Sequence, residues 1–400
     1  MRADNLMIVQ GGGPTTVFNT SLSSVIEEGV CQRGIGRILG ARSGTEGLTQ
    51  GNVVDLSQMT SDELRVLRNS PGAALGSSRF KPTADHLELL VEYLRRLEIK
   101  YIIFMGGNGT MRGAEIISAF CRSIDFEVQI IGIPKTIDND IAVTDRCPGY
   151  ASAAKYVAQS TRDLGMDIRS LPQPVTILET MGRSVGWLAG ASSLAKAAES
   201  DAPHLVYVPE LPFHTERFLE DLDGVVTRLG WAVVVVSEGI RNEDVSLVYE
   251  MSDPSQLDPL KRPMTGGVGQ FLAGVVAKNL KIRCRSEKPG LLGRASMAHV
   301  SNQDQQDAEL VGRAGVRALL AGATDMMVAL RPLGDTSALG YDLVPLSAVA
   351  GIERAIPAEW LIGGPLAVTG GFVEYLRPLV GELFQYSPAL RSGLQPMGAS

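Results

Sequence analysis

Lys135, Thr136, Asp138 and Asp140 crowd into the single stretch Pro134-Lys135-Thr136-Ile137-Asp138-Asn139-Asp140, directly after the apolar run Val128 to Ile133. A strand that ends in paired carboxylates beside a cation is a place for chemistry, because ligands of open α/β sheets bind at the carboxyl ends of the strands. Read as extended chain, the stretch points Asp138 and Asp140 to one face, so that one can take a proton while the other serves a metal or a hydrogen bond. The bland alternative is an Asx-rich turn that only reverses the chain.

Two glycine loops sharpen the choice. Leu6 to Val9 runs into Gly11-Gly12-Gly13-Pro14-Thr15-Thr16 and then a helical pattern through Val17, Leu22, Val25 and Ile26. Tyr101 to Met105 runs into Gly106-Gly107-Asn108-Gly109-Thr110, again followed by a helical pattern. Glycines at a strand-to-helix turn let backbone N–H groups approach phosphate oxygens, and the helix N-terminus adds partial positive charge. One such loop is weak evidence; two in one chain point to a polyphosphate.

The elements that must hold these loops read as strands alternating with helices. Short apolar runs recur at Leu6 to Val9, Tyr101 to Met105, Ile130 to Ile133, Val175 to Leu178, Leu205 to Val208, Ala232 to Val236 and Met326 to Leu330. Between them lie amphipathic stretches such as Asp85 to Leu97, the pattern of βαβ units and doubly wound parallel sheets. At 400 residues the chain exceeds one ordinary core, so two α/β domains facing each other across a cleft are expected. A formal charge of −7 argues against nucleic acid as a partner. Cys31, Cys121, Cys147 and Cys284 form no metal or disulfide pattern, and no apolar stretch is long enough to span a membrane. A cytoplasmic location is expected.

Two further segments close strands, Glu179-Thr180-Met181-Gly182-Arg183 and Ser237-Glu238-Gly239-Ile240, and a basic segment follows, Cys284-Arg285-Ser286-Glu287-Lys288-Pro289-Gly290-Leu291-Leu292-Gly293-Arg294. The Gly-Gly-Asn-Gly-Thr loop alone is also similar to those of NAD kinases and lipid kinases. With Pro134 to Asp140 and these later segments in matching order, the chain resembles the phosphofructokinase superfamily, most closely its bacterial pyrophosphate-type and mixed-donor branch.

The resemblance implies two doubly wound Rossmann-like domains with the active site in the cleft between them. One, of about 1–141 plus 293–345, would hold the donor; the other, of about 142–292 plus 346–400, would hold the sugar phosphate. It implies transfer from ATP or pyrophosphate to the 1-hydroxyl of fructose 6-phosphate, with Mg2+ as cofactor and a homodimer or homotetramer as the assembly. Asp138 would be the general base, with Lys135, Thr136 and Arg183 beside it. Gly12, Gly13, Arg79, Gly107, Asn108, Gly109 and Thr110 would cradle the donor. Thr136, Asp138, Asp140, Met181, Gly182, Arg183, Glu238, Arg285, Lys288, Leu291 and Arg294 would meet the acceptor, Arg285 by reaching a neighbouring subunit. Asn108 and Asp140 would serve the metal.

The chain departs from the family pattern at four positions. Asn108 stands where many members have a magnesium-binding aspartate, Leu291 replaces a histidine or tyrosine, and Pro174 falls where short bacterial enzymes place a phosphate arginine. The donor signals split: Gly109 matches ATP users and Lys135 matches pyrophosphate users. Glycine discriminates more sharply, because an aspartate there would repel the α-phosphate of a nucleotide, so ATP is favoured. Rival readings are a kinase of another sugar phosphate or polyol on the same fold, and a ligand sensor without catalysis.

Overall fold

A computed structural model describes residues 4–78, 80, 82–170, 175–250, 266–334 and 339–386. Among the described residues, eleven strands form two sheets. β1 (Asp4–Gln10), β2 (Ile35–Ala41), β3 (Val53–Asp55), β4 (Ile99–Gly106) and β5 (Gln129–Pro134) belong to the first sheet, and β6 (Val175–Thr180), β7 (Leu205–Tyr207), β8 (Ala232–Ser237) and β9 (Cys284–Glu287) to the second. β10 (Met326–Leu330) and β11 (Tyr341–Pro345) return to the first, whose order is β11-β10-β5-β4-β1-β2-β3. The second runs β7-β8-β6-β9 and is wholly parallel. Only the outermost pairings of the first sheet, β2 with β3 and β10 with β11, are antiparallel.

The central strands are covered on both faces. β8 is buried along its whole length, as is β1 after Asp4, which is why they read as unbroken apolar runs. Their register sets the site. Gln10 of β1 pairs with Met105 of β4, and Gly106 of β4 pairs with Pro134 of β5, so the loops after all three strands leave at one level. In the second sheet Thr180 pairs with Ser237, bringing the loops after β6 and β8 to a common edge.

The chain crosses between the sheets through residues 135–149, which run into the helix Tyr150–Ile168. The helix Asn302–Leu320, packed on the first sheet, pins that crossing. The Asp304 carboxylate accepts from Gly149 N at 2.7 Å, Ser152 N at 3.0 Å and Ser152 Oγ at 2.5 Å, capping the start of Tyr150–Ile168 from a different helix. One turn on, Asp307 takes a bidentate pair from Arg146, Nε to Oδ2 at 2.6 Å and Nη2 to Oδ1 at 2.8 Å. Arg146 Nη1 also donates to the Arg331 carbonyl at 2.6 Å. Burial lifts the Asp304 carboxyl to about 6, even though three hydrogen bonds favour its charged form.

Asp307→Ala leaves a buried guanidinium with only Asp145 and a carbonyl. It should lower the unfolding free energy by about 3 kcal/mol, the lower end of the cost of breaking a buried pair, read from the denaturant midpoint. A loss under about 0.5 kcal/mol would mean that this ion pair does not hold the crossing.

Candidate active site

Lys135 follows β5 with its backbone N–H bonded to Gly106 O at 3.0 Å, and its side chain turns inward. It is among the largest fully buried side chains: Nζ donates to Gly13 O at 2.5 Å and lies 4.5 Å from the centre of the Phe18 ring. The first glycine loop makes room for cations. Gly12 has φ +76° and a Cβ there would sit 3.4 Å from Lys135 Nζ, while a Cβ on Gly13 would meet Arg294 Nη1 at 2.8 Å. The two loops also interlock, since a Cβ on either Gly11 or Gly106 would overlap Thr110 Oγ1.

The carboxylates are not carried by extended chain. Asn139 between them has φ +54°, in the left-handed region, and residues 137 and 138 form a bend. The strand-like reading of Asp-x-Asp is therefore corrected. Asn139 is held there because its Oδ1 accepts from Cys147 N at 2.9 Å and its Nδ2 donates to Tyr375 Oη at 3.3 Å. Asp138 N donates to Thr136 Oγ1 at 3.0 Å, which tightens the bend.

Burial dominates the electrostatics. It depresses Lys135 to about 7, with Arg294 pushing the same way and the carboxylates 138 and 140 opposing. It also raises Asp138 well above the usual carboxylate range, with Asp140 and Glu238 adding repulsion. Asp140 is raised by burial as well, against a hydrogen bond from Asn108. Charges that follow β5, β8 and β9 thus act on one another across the space between the sheets.

On the second sheet, Glu238 N donates to Thr180 O at 2.9 Å and Ser237 Oγ to Gly182 O at 2.5 Å. Gly182 has φ +132°, and Gly239 comes so close to the Arg183 carbonyl that a Cβ would overlap it. Met181, Gly182, Arg183 and Glu238 therefore form one rigid rim. Lys288 lies beside it with Nζ 3.0 Å from Glu179 Oε1, and that buried carboxylate also accepts from Gly267 N and Gly269 N. Arg285 is exposed on β9 at the sheet edge, and Leu291 is 64% exposed. Gly107, Asn108 and Gly109 open the helix Asn108–Ser123 at its N-terminal end. Arg79 and Pro174 lie outside the described residues.

The phosphofructokinase family model matches residues 5–319. The chain belongs to the phosphofructokinase family. It is 35% identical over 382 residues to the pyrophosphate-fructose 6-phosphate 1-phosphotransferase of Rhodospirillum rubrum, covering 94% of each chain. It is also 35% identical over 361 residues to a sulfofructose kinase of Alkalicoccus urumqiensis, covering 88% of this chain and 91% of that one. The crystal structure of the pyrophosphate-dependent phosphofructokinase from Marinobacter aquaeolei superposes with a TM-score of 0.83 at 32% identity, covering 98% of this chain and 95% of that one.

Members of this family are phosphotransferases, and the implied cation can be tested against the donor set. Asn108 Oδ1 and Asp140 Oδ1 are both buried and lack a hydrogen-bond partner. Asn108 Nδ2 donates to Asp140 O at 3.0 Å and to Oδ2 at 3.2 Å, which holds the two side chains side by side. Hard oxygens from one carboxylate and one amide suit Mg2+, which keeps several waters and takes further ligands from substrate phosphates. Asn108 and Asp140 would hold it, and it would offset charge on the phosphates. No group of three or more His, Cys, Asp or Glu side chains is placed to bind metal among the described residues.

Reasoning from the sequence gave no role to Arg146, in the crossing itself, and missed Asp304, Asp307, Arg354 and Tyr375, which hold the carboxylate loop from far along the chain. No local pattern marks them. The family match ends before Arg354 and Tyr375.

Because burial and Arg294 hold the Lys135 ammonium down to about 7 despite Asp138 and Asp140, a polyphosphate should raise its pKa and draw in a proton. Donor binding at about pH 8 should therefore be coupled to proton uptake, and affinity should fall as pH rises beyond about 7. Calorimetry in two buffers of different ionisation enthalpy measures this. Lys135→Met should remove the uptake, and equal uptake in both proteins would exclude Lys135 as the titrating group.

Proposed function

We propose that this phosphofructokinase homologue transfers a phosphoryl group to the 1-hydroxyl of fructose 6-phosphate, with Asp138 as general base. The observation that carries the reading is the buried Lys135–Asp138 cluster between the phosphate loops of one sheet and the Met181–Arg183 and Glu238 rim of the other. The sugar oxygen forms a bond to the transferred phosphorus as the bond to the leaving phosphate breaks, and the hydroxyl proton passes to Asp138. Transfer of this kind needs mainly in-line positioning and charge stabilisation. Lys135, Arg183 and Arg294 supply the positive charge. Thr136 and Asp140 order phosphate and metal, and Met181, Gly182 and Glu238 receive the sugar hydroxyls.

In this reading the first sheet, with residues 1–141 and about 293–345, handles the donor through Gly12, Gly13, Gly107, Asn108, Gly109 and Thr110. The second, with about 142–292 and 346–400, handles the acceptor. Arg285, exposed at the edge of β9, faces outward as a residue completing a neighbour's site would, so a homo-oligomer follows. The assembly is a homodimer or homotetramer working in the cytoplasm.

ATP is the proposed donor. A Cβ at Gly109 would meet no atom within 4 Å, and its φ is not positive, so neither packing nor backbone requires glycine there. The missing side chain leaves space at the N-terminal end of the helix Asn108–Ser123, where an aspartate would repel the α-phosphate of a nucleotide. The name of the Rhodospirillum rubrum relative favours pyrophosphate instead. A second acceptor reading, sulfofructose, is favoured by the name of the Alkalicoccus urumqiensis relative and by the acceptor loop, where Lys288 already pairs with Glu179 and Leu291 is apolar.

Initial rates with ATP and pyrophosphate crossed against fructose 6-phosphate, sulfofructose and other sugar phosphates test this directly. The fastest pair should be ATP with fructose 6-phosphate, and Gly109→Asp should depress the ATP rate far more than any pyrophosphate rate. Turnover with pyrophosphate and none with ATP would overturn the donor assignment. A preference for sulfofructose or a polyol would overturn the acceptor.

A further inference from the structure

The segment after β11 carries no residue of the motifs discussed above, yet it touches both halves of the site. Its first link is a bridge: Glu353 pairs with Ile141 in antiparallel fashion, and Arg354 N donates to Asp140 O at 2.7 Å. The Arg354 guanidinium donates through Nη1 to the Asp145 carbonyl and packs 4.6 Å from the centre of the Trp187 ring. Its own carbonyl accepts from Trp187 Nε1 at 3.1 Å. Trp187 opens the helix directly after the Met181–Gly186 loop.

Two residues on, Ile356 N donates to Glu210 Oε1 at 3.2 Å, and the same oxygen accepts from Gly186 N at 2.9 Å. Glu210 thereby joins this segment to the end of the acceptor-side loop a second time. Tyr375, on the helix Gly370–Val380, closes the arrangement: its hydroxyl donates to Asp145 O at 2.8 Å and accepts from Asn139 Nδ2 at 3.3 Å. Asn139 is the left-handed residue between Asp138 and Asp140, so Tyr375 bears on the bend that aims both carboxylates.

We propose that residues 353–356, with Glu210 and Tyr375, form a strut that fixes the carboxylate loop against the Met181–Gly186 loop, and that Arg354 and Tyr375 are positioning residues for phosphoryl transfer. The inference rests on the reading of Asp138 as base and Met181–Arg183 as the acceptor rim. An error of one ångström between a base and its hydroxyl costs on the order of 10²-fold in rate, so holding these two loops in register is worth a dedicated contact. A residue that acts in this way lowers kcat with little change in KM, because it alters alignment and not uniform binding.

Tyr375→Phe keeps the ring and removes only the bridging hydroxyl. Arg354→Met removes the Asp145 bond and the charge over Trp187, and Arg354→Lys restores a cation. Each is measured by steady-state kinetics, melting temperature and amide hydrogen exchange of peptides covering 138–147. Tyr375→Phe and Arg354→Met should each lower kcat about tenfold with KM changed less than about threefold, while Arg354→Lys recovers most of the rate. Exchange should quicken over 138–147 while the strands of both sheets stay protected. Unchanged kcat with unchanged exchange would overturn the proposal, as would a rate loss matched by a fall in folded fraction and exchange rising across both sheets. Should the wild type transfer no phosphoryl group, the reading of function fails, and the exchange data still decide the strut: local quickening supports it and its absence refutes it.

Discussion

Everything in this site follows from crowding the fully buried Lys135 against the half-buried Asp138 and Asp140. A buried ammonium or carboxylate loses solvation worth several kcal/mol, and only partners of opposite charge and well-placed dipoles offset that loss. Here the offsets are incomplete without substrate. Lys135 has one carbonyl, an aromatic face and two carboxylates in electrostatic reach, and it is still held far below its ordinary pKa. Asp138 is raised by burial and by Asp140, and Asp140 by burial and by Glu353. Under the proposed function a polyphosphate with a cation would supply the missing charges of both signs, so loading the site should stabilise it.

Such a cluster must be imposed by the fold, because its members repel one another as often as they attract. The register of β1, β4 and β5 delivers the two glycine loops and the carboxylate loop to one level. The bend at Asn139 then needs support from outside the sheet. It comes from Cys147 and Tyr375 at the bend itself, and from Asp304 and Asp307 at the end of the crossing. The left-handed residue and the buried ion pair each have a cost, and the surrounding hydrogen bonds offset it.

What could be read from the sequence was whatever leaves a local trace. β1, β4, β5, β6, β8 and β10 are buried on both faces and appear as apolar runs, and the glycine loops show because close approach excludes side chains. β2 was passed over because Gly36, Arg37 and Gly40 interrupt it, and β9 because Cys284-Arg285-Ser286-Glu287 is an edge strand with little to bury. The chemistry of Pro134 to Asp140 is legible by residue type, but its backbone is not the extended chain expected, since the contacts that hold Asn139 left-handed come from residues 147 and 375. Long-range hydrogen bonds of that kind, like Asp304 capping a helix that begins at Tyr150, have no signature in sequence spacing.

The central claim is that Asp138 takes the proton of the acceptor hydroxyl. The most direct test is a single-turnover measurement of Asp138→Asn with saturating donor and fructose 6-phosphate, alongside equilibrium binding of both. The amide preserves shape and cannot accept the proton, so the transfer rate should fall by about 10²-fold or more while both dissociation constants stay within a few-fold of wild type. A transfer rate within a few-fold of wild type would contradict the account.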